Sequence, residues 1–286
     1  MRFSTILLGG LSLVAATPAF AQDSGAAGAT ADAAPTAPPS PITISGSAAI
    51  LTDYRLRGVS QTNKNAAVQA ALTVAHESGF YIGTFASNLA GWGTFGGANM
   101  ELDGIVGYKH TAGSATGDIG VTWYTYPGGA SESDVVEFFA RVSGTAGPAT
   151  LTAGAYYAPN QTSLGNFSNT SYSRGQRWDN IYLTGDGVAA IPGTPITAKA
   201  HIGYSKGNPG LGPNGTSLSP TGQYWDWSLG ADVAAYKNLT FNVSYIDTDI
   251  SRAKSAYLQP NFSKGQVPGG DTIAGATVVF GLTAAF

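Results

Sequence analysis

The sequence predicts an all-β protein, a transmembrane up-and-down antiparallel β-barrel of about twelve strands. Three observations lead to this fold class: apolar and polar side chains alternate along most of the chain after Pro41, long and short connections alternate, and the chain ends in Phe286. Alternation with a period of two is typical of strands with one apolar face. Long loops on one side, tight turns on the other and an even number of strands form the pattern of outer-membrane barrels.

The composition fits a protein that buries a large surface but carries little charge. The 286 residues include 39 Gly, 14 Tyr, 12 Phe and 5 Trp, and only 11% are charged, whereas about 25% is usual for soluble domains. The net charge of -3 lacks the basic surplus that phosphate neutralisation requires, so we expect no nucleic acid partner. The absence of Cys excludes disulfide scaffolds, Cys-ligated zinc and thiol catalysis.

The N-terminal segment, residues 1–21, has the pattern of a secretory signal peptide. Arg2 precedes a short apolar run, and Ala19-Phe20-Ala21 is a small-x-small cleavage site. The run is about half as long as a membrane-spanning helix requires. Residues 22–41 are mostly Ala, Pro, Gly, Ser and Thr, so they cannot bury a core and are expected to form a periplasmic tether. The barrel is expected over residues 42–286.

The alternation of apolar and polar side chains includes the first and the last predicted strand of the barrel. From Ile42 to Arg57, apolar side chains share one parity and polar side chains share the other. The last strand, Thr272 to Phe286, alternates in the same way and stops on the aromatic residue. A terminal aromatic residue on an amphipathic last strand resembles the signal by which bacterial outer-membrane proteins are recognised. We therefore expect Phe286 to be an assembly signal for the barrel assembly machinery.

Aromatic residues lie near both ends of the predicted strands. The ends that approach the long loops carry Tyr54, Phe85, Tyr124, Tyr126, Tyr156, Tyr157, Tyr204, Trp225, Trp227 and Tyr245, and the opposite ends carry Tyr81, Tyr108, Tyr236 and Phe286. Aromatic side chains favour the two lipid–water interfaces, so this placement predicts two girdles that face outer-membrane lipid. A soluble β-sandwich is the alternative, since aromatic residues favour strands in general.

Several segments resemble the TorF family of porins from Gram-negative bacteria. The resemblance rests on Asp53–Thr62, Gly79–Asn88, Glu101–Asp103, Tyr124–Gly128, Tyr224–Gly230 and the C-terminal strand. These segments follow the order of the family, and the first is the most specific of them. The resemblance implies a porin-type barrel in the cell outer membrane, reached through a cleaved signal peptide.

The parity of each strand also predicts which charged residues line the pore. If the apolar parity faces lipid, the inward set contains eight acids and five bases: Asp53, Glu101, Asp103, Asp118, Glu137, Asp186, Asp226 and Asp232, with Arg55, Arg57, Lys109, Arg141 and Lys199. Their balance is 5 minus 8, or -3. A negative pore attracts cations, and screening over about 8 Å at physiological salt keeps the preference weak.

Two functions of different class fit these patterns. The first is passive diffusion of small polar solutes or ions through an open barrel, and the second is a closed barrel that acts in adhesion or as an envelope scaffold through its long outer loops. Twelve strands give a backbone diameter of about 24 Å and a bore of roughly 12 Å between side chains. Many inward positions are small Ser and Thr residues. That favours an open bore unless a long loop folds inside.

We expect no enzymatic activity, no cofactor and no metal site. His76, His110 and His201 lie far apart in the sequence and lack the spacing of zinc ligands. A Ser and a His could still meet on neighbouring strands, as in outer-membrane lipid hydrolases. Sequence spacing leaves this alternative open, because residues that pair across strands are remote in sequence.

Overall fold

A computed structural model describes residues 41–130, 132–165, 175–209, 217–258 and 272–286 of the chain. The side chains of residues 256–258 are not described. The predicted signal peptide, residues 1–21, lies outside the described residues. The predicted tether lies outside them as well, except for its last residue, Pro41.

Strands make up most of the described chain. In order they are β1 (Ile42–Leu51), β2 (Arg55–Leu56), β3 (Val59–Ser60), β4 (Ala67–His76), β5 (Phe80–Asn88), β6 (Met100–Ala112), β7 (Ala115–Thr125), β8 (Val135–Ala146), β9 (Ala149–Gln161), β10 (Trp178–Ala190), β11 (Ile196–Gly207), β12 (Gln223–Tyr236), β13 (Leu239–Thr248) and β14 (Thr277–Ala285). Short 3-10 turns cover Gly91–Gly93, Phe95–Gly97 and Thr162–Leu164, and one α-helix, α1, covers Arg252–Leu258. No described helix is long and apolar enough to cross a membrane.

Twelve of these strands close into one antiparallel barrel, in the order β1-β14-β13-β12-β11-β10-β9-β8-β7-β6-β5-β4. The barrel closes where β1 pairs with β14, from Ser47 opposite Ala285 to Leu51 opposite Gly281. Closure gives every strand two hydrogen-bonded neighbours, which a barrel in lipid requires because no water is there to satisfy an open edge. The predicted fold class, an up-and-down antiparallel barrel of twelve strands, is confirmed.

The outer wall of the barrel is apolar. Ile44, Leu151 and Leu229 are examples of large side chains that are exposed on it, and they occupy the apolar parity of their strands. An apolar band of this extent is stable against lipid rather than water. The opposite parity therefore faces the bore, as the alternation predicts.

The first strand is shorter than predicted. β1 ends at Leu51 rather than Arg57, and the alternation over residues 53–57 continues into a segment that has left the wall. In its place, β2 and β3 pair with each other as a separate hairpin. The last strand also begins later than predicted, at Thr277 rather than Thr272.

The predicted aromatic girdles are only partly correct. Tyr157, Trp225, Tyr236 and Tyr245 are exposed on the outer surface, as expected for lipid-facing rings. Six other residues assigned to the girdles are buried: Tyr54, Tyr81, Phe85, Tyr124, Tyr126 and Tyr156. Their position along the strand was correct, but side-chain parity decides which face a ring occupies, and these rings occupy the inward parity or the hairpin segment.

Phe286 lies at the seam of the barrel. Its N–H donates to the Gly46 oxygen at 2.9 Å, and its own oxygen accepts from the Gly46 N–H at 2.9 Å. Its ring is 71% exposed on the outer surface. The residue therefore extends the pairing between the first and last strands and presents an aromatic side chain to lipid.

We expect Phe286→Asp to lower the amount of folded barrel in the outer membrane more than deletion of residues 22–40 does. A charge on the lipid face near an interface costs up to about 1 kcal/mol, and the variant also loses the terminal aromatic residue expected to act as the assembly signal, whereas the tether is expected to bury nothing. The measurement is the amount of protein in outer-membrane fractions that migrates as folded barrel on a gel without boiling. Phe286→Tyr is the control and should assemble normally. Equal levels of the Asp variant and the natural protein would contradict the assignment.

Candidate functional site

The β2–β3 hairpin lies inside the barrel. Arg55 pairs with Ser60 and Leu56 with Val59, so Arg57 and Gly58 form a two-residue turn at the tip. Their φ angles are 50° and 77°, and positive values at both positions define the type I′ turn of tight hairpins. From Asp53 to Thr62 every residue except Leu56 is buried. The first long connection of the barrel is therefore an internal plug, which we call the plug hairpin (residues 53–62).

The Arg57 side chain connects the tip of the plug hairpin to the far wall. Its guanidinium donates to Glu137 Oε1 on β8 at 2.6 Å and to Asn180 Oδ1 on β10 at 2.8 Å. The guanidinium carbon lies 4.2 Å from the centre of the Tyr182 ring, and the Tyr224 hydroxyl donates to the Arg57 backbone oxygen at 3.0 Å. In the ring of twelve strands, β8 and β10 flank β9, which is diametrically opposite β1. The Arg57 side chain thus reaches the wall opposite β1, while the turn of the plug hairpin lies beside β12 and β13.

The charge on Arg57 is stabilised where it lies. Burial opposes that charge, but the Glu137 carboxylate acts together with Tyr124 and Tyr182, and the net effect raises the pKa of Arg57 above its ordinary value. Glu137 also accepts a hydrogen bond from the Tyr124 hydroxyl at 3.1 Å, so both of its oxygens are used. A buried ion pair with satisfied partners is costly to break, because removing one charge leaves the other unpaired in a low dielectric.

A second polar cluster holds the base of the plug hairpin. The Asp53 carboxylate accepts from Arg55 Nε at 2.8 Å, from Ser60 Oγ at 2.5 Å and from Thr62 Oγ1 at 3.2 Å. Arg55 Nη1 also donates to the Gly275 oxygen at 2.8 Å. These bonds tie the two arms of the hairpin to each other and to the segment before β14.

Neighbouring segments cover the plug hairpin at the outer mouth. The Ser60 N–H donates to the Ile273 oxygen at 2.9 Å, and the Ala90 N–H donates to the Gln61 oxygen at 3.0 Å. An aromatic cluster fills the space around this mouth, comprising Tyr54, Phe85, Trp92, Phe95 and Tyr126. Within it, the Phe95 ring lies 5.3 Å from Trp92 and 5.0 Å from Tyr126 between centroids.

Tyr54 joins the plug hairpin to β6. Its hydroxyl donates to Glu101 Oε2 at 2.9 Å. Burial, and then the negative charge of Glu101, raise the pKa of Tyr54 well above its ordinary value. The phenol therefore remains a hydrogen-bond donor throughout the physiological range of pH.

The predicted pore-lining residues occupy two places. Asp53, Arg55 and Arg57 lie in the plug hairpin, whereas they were predicted to line the wall at the outer mouth. The other ten have side chains on the inner face of the wall: Glu101, Asp103 and Lys109 on β6, Asp118 on β7, Glu137 and Arg141 on β8, Asp186 on β10, Lys199 on β11, and Asp226 and Asp232 on β12.

Most of these charges form ion pairs inside the barrel. The N–O distances are 2.8 Å for Asp53–Arg55, 2.6 Å for Glu137–Arg57, 2.5 Å for Asp118–Arg141 and 2.8 Å for Asp232–Lys199. His201 was not among the predicted residues, yet it lies between two carboxylates, 2.5 Å from Asp186 Oδ1 and 3.1 Å from Asp226 Oδ1. His201 lies two residues after Lys199 on β11 and therefore faces the same side of the strand. This shared inward parity is the sequence signal by which His201 could have been identified.

The surroundings of His201 test the alternative in which a Ser and a His on neighbouring strands form a hydrolase site. The register places His201 directly opposite Ser228 on β12. However, Nδ1 faces Asp186, and Nε2 faces both Asp226 and the Tyr182 hydroxyl, which is 3.0 Å away. Neither ring nitrogen is therefore placed to remove a proton from Ser228, as nucleophilic catalysis requires.

Aromatic rings and the plug hairpin both occupy the bore that small inward residues alone would leave open. Consecutive rings of Phe139, Tyr156, Tyr182 and His201 lie 6.3, 5.8 and 6.5 Å apart between centroids. The open bore was expected on the condition that no long loop folds inside, and the plug hairpin is such a loop. In this structure the plug hairpin lies inside the bore.

The similarity to solved structures defines the class of fold. The NanC porin matches with a TM-score of 0.51 at 10% identity, over 85% of this chain and 98% of that chain. The KdgM porin gives 0.49 at 8% identity, over 85% and 99%, and an outer membrane channel from Pseudomonas putida F1 gives 0.43 at 10% identity, over 87% and 96%. The match to the NanC porin, together with the closed twelve-stranded barrel, shows that the protein has a porin-like β-barrel fold.

The family follows from the sequence. The model of the Gcw_chp family, bacterial proteins of unknown function, matches residues 35–286. The chain therefore belongs to the Gcw_chp family. No curated protein matches it.

We expect Arg57→Met to reduce the free energy of unfolding by about 3–5 kcal/mol, because it leaves the Glu137 carboxylate buried without its cation. The measurement is urea unfolding of the barrel in lipid vesicles, followed by tryptophan fluorescence. Adding Glu137→Gln to Arg57→Met should restore at least half of the loss. A single variant as stable as the natural protein would contradict the role given to this ion pair.

Proposed function

We propose that the protein is an outer-membrane channel for small polar solutes or ions, and that the plug hairpin closes it. The observation that carries this proposal is the contact of Arg57 with Glu137 and Asn180 across the bore. A loop anchored to the opposite wall blocks passage, and its release would open a path through the barrel. Diffusion through the open form would be passive and would need no cofactor.

The environment proposed for this channel is the outer membrane of a Gram-negative cell. The apolar outer wall supports contact with outer-membrane lipid. Residues 1–21 would act as a cleaved signal peptide, residues 22–41 as a periplasmic tether, and Phe286 as the signal for the barrel assembly machinery. Membership of the TorF family of porins belongs to the same proposal, and its most specific segment, Asp53–Thr62, is the plug hairpin itself.

The chemistry of the plug hairpin supports a reversible closure. Its tip and base are held by ion pairs and hydrogen bonds, and water can replace such bonds when the hairpin leaves. The wall that it would vacate carries Glu137, Asn180, Tyr182 and Asp226, which are groups that water solvates well. A vacated bore of roughly 12 Å admits small hydrophilic molecules and excludes folded proteins.

A closed barrel that serves as a scaffold is the second candidate. The burial of nearly the whole plug hairpin favours it, because a buried segment with satisfied polar groups is also what a permanent plug requires. The two candidates differ in whether the hairpin ever leaves the bore.

A disulfide lock separates these candidates. A β-carbon added to Gly58 would meet the Thr248 methyl group on β13, and the chain has no other Cys to interfere. We expect the Gly58→Cys/Thr248→Cys barrel to be silent in planar bilayers when oxidised and to show stepwise conductance after reduction. The single Gly58→Cys variant controls for strain at the turn and should not respond to reductant.

A second variant removes the plug. Leu51 and Ala67 are directly opposed in the β1–β4 register, so a short Gly-Ser turn can replace residues 53–65 without moving either strand. This barrel should stay open. Equal conductance of the oxidised and reduced lock would show that the hairpin is not the gate. A plugless barrel that folds but never conducts would favour the scaffold.

The plugless barrel should prefer cations. Removing the plug hairpin takes away Asp53, Arg55 and Arg57, so the balance of predicted pore charges changes from 5 minus 8 to 3 minus 7, or -4. A negative bore raises the local concentration of cations, more strongly at low salt. The measurement is the reversal potential across a salt gradient, and Glu101→Gln with Asp103→Asn should reduce it. A potential of zero or of anion-selective sign would contradict this charge assignment.

A further inference from the structure

Two of the predicted pore acids differ from the rest in having no cationic partner. Six of the eight acids lie beside an Arg, Lys or His: Asp53, Asp118, Glu137, Asp186, Asp226 and Asp232. The remaining two, Glu101 and Asp103, are neighbours on the inner face of β6. Within the described chain, neither forms an ion pair.

These two carboxylates are also deeply buried. Glu101 is 2% exposed and Asp103 is 1% exposed. Glu101 accepts one hydrogen bond, from Tyr54, at 2.9 Å. No side chain in the described part of the protein donates a hydrogen bond to either oxygen of Asp103. An unpaired carboxylate in such a place is costly, so buried acids are normally paired with a cation or coordinate a metal.

None of the described bases inside the barrel is free to pair with these two carboxylates. Arg55 and Arg57 are held by Asp53 and Glu137. On the same strand, the next base is Lys109, six residues beyond Asp103 and hence about 20 Å along β6. Among the described residues, no cationic side chain is available to these two carboxylates, so a cation from outside the chain would balance their charge.

We propose that Glu101 and Asp103 bind one divalent metal cation of the calcium type beneath the plug hairpin. Two carboxylates balance a charge of +2, and the donor atoms here are oxygens, which hard cations prefer. Residues two apart on a strand face the same side, with Cα atoms about 7 Å apart, so both carboxylates can reach one ion at about 2.3–2.6 Å.

The neighbouring groups supply further oxygen ligands. The Tyr54 hydroxyl already lies beside Glu101, and Ser87 on β5 is directly opposite Glu101 in the register. Calcium accepts irregular sets of six to eight oxygens that include water, whereas magnesium requires near-ideal octahedral geometry. No group of three or more His, Asp or Glu suited to a metal occurs among the described residues. We therefore expect weak binding, with a dissociation constant of about 10⁻⁴–10⁻³ M, as in extracellular calcium modules.

Binding at this site would couple the ion to the plug hairpin. Tyr54 belongs to the plug hairpin and contacts the carboxylate that would hold the ion, so calcium would stabilise the closed barrel. The inference does not depend on the channel function. A barrel that never conducts could bind calcium in the same way, and a conducting barrel could lack the site.

The test is equilibrium dialysis of the full mature barrel, folded in detergent, against radioactive Ca²⁺ in a background of KCl. We expect the natural protein to bind one Ca²⁺ and Asp103→Asn to bind it at least about tenfold more weakly, since affinity follows the number of charged ligands. The matched control is Asp232→Asn, which removes a buried pore acid that has its own partner, Lys199. It should leave calcium affinity within about twofold of the natural value.

Several outcomes would overturn the proposal. The first is that the folded natural protein shows no saturable Ca²⁺ binding, and the second is that a folded Asp103→Asn barrel binds Ca²⁺ as tightly as the natural protein. The third is that Asp232→Asn loses as much Ca²⁺ affinity as Asp103→Asn, because this would indicate diffuse pore charge rather than a site. Gel migration without boiling verifies that each variant is folded. If Asp103→Asn does not fold, the melting temperature of the natural barrel decides: calcium should raise it relative to chelator, and an unchanged value rejects the site.

Discussion

The ion pair between Arg57 and Glu137 determines how the inside of this barrel is arranged. Eight-stranded barrels are filled by their own side chains, whereas twelve strands enclose a wider space that wall residues leave partly empty. Glu137 places a negative charge in that space, and Arg57 brings the opposite charge to it from the other side. Because Arg57 sits at the tip of a tight turn, its ion pair holds the backbone of the plug hairpin inside the bore, where the turn lies beside β12 and β13. The plug hairpin therefore occupies the bore.

The plug hairpin is bound to the wall mainly through polar groups. These contacts support the proposed channel, because a bore lined by polar groups can fill with water when the hairpin leaves. An apolar plug would leave a bore that water wets poorly, whereas this one would leave carboxylates, amides and hydroxyls. The groups that hold the hairpin in the closed barrel are the same groups that would face a solute in the open barrel. The unpaired carboxylates of Glu101 and Asp103 lie beside this contact surface, at the point where Tyr54 meets the wall. A cation bound there would favour the closed state because it would fix a residue of the plug.

The wall of the barrel could be predicted from the sequence, and the plug could not. Along β13, Phe241 and Tyr245 alternate with Asn242 and Ser244 because lipid lies on one side and the bore on the other. Residues 53–57 keep the same alternation although they have left the wall, so periodicity alone does not separate them from β1. Their turn, Arg57–Gly58, is not one of the residue pairs most typical of type I′ turns. The partners of Arg57 lie 80 and 123 residues away in the sequence, and no local pattern encodes contacts of that kind.

The central claim is that the first outer connection lies inside the barrel, and chemical labelling of intact cells tests it most directly. Val59 is 1% exposed in the plug hairpin, whereas Ser251, before α1, is exposed. The natural chain has no Cys, so each single cysteine variant reports on one position. A membrane-impermeant maleimide should label Ser251→Cys rapidly and leave Val59→Cys unmodified. Labelling of both variants at the same rate would show that the hairpin stands outside the barrel and would contradict the account.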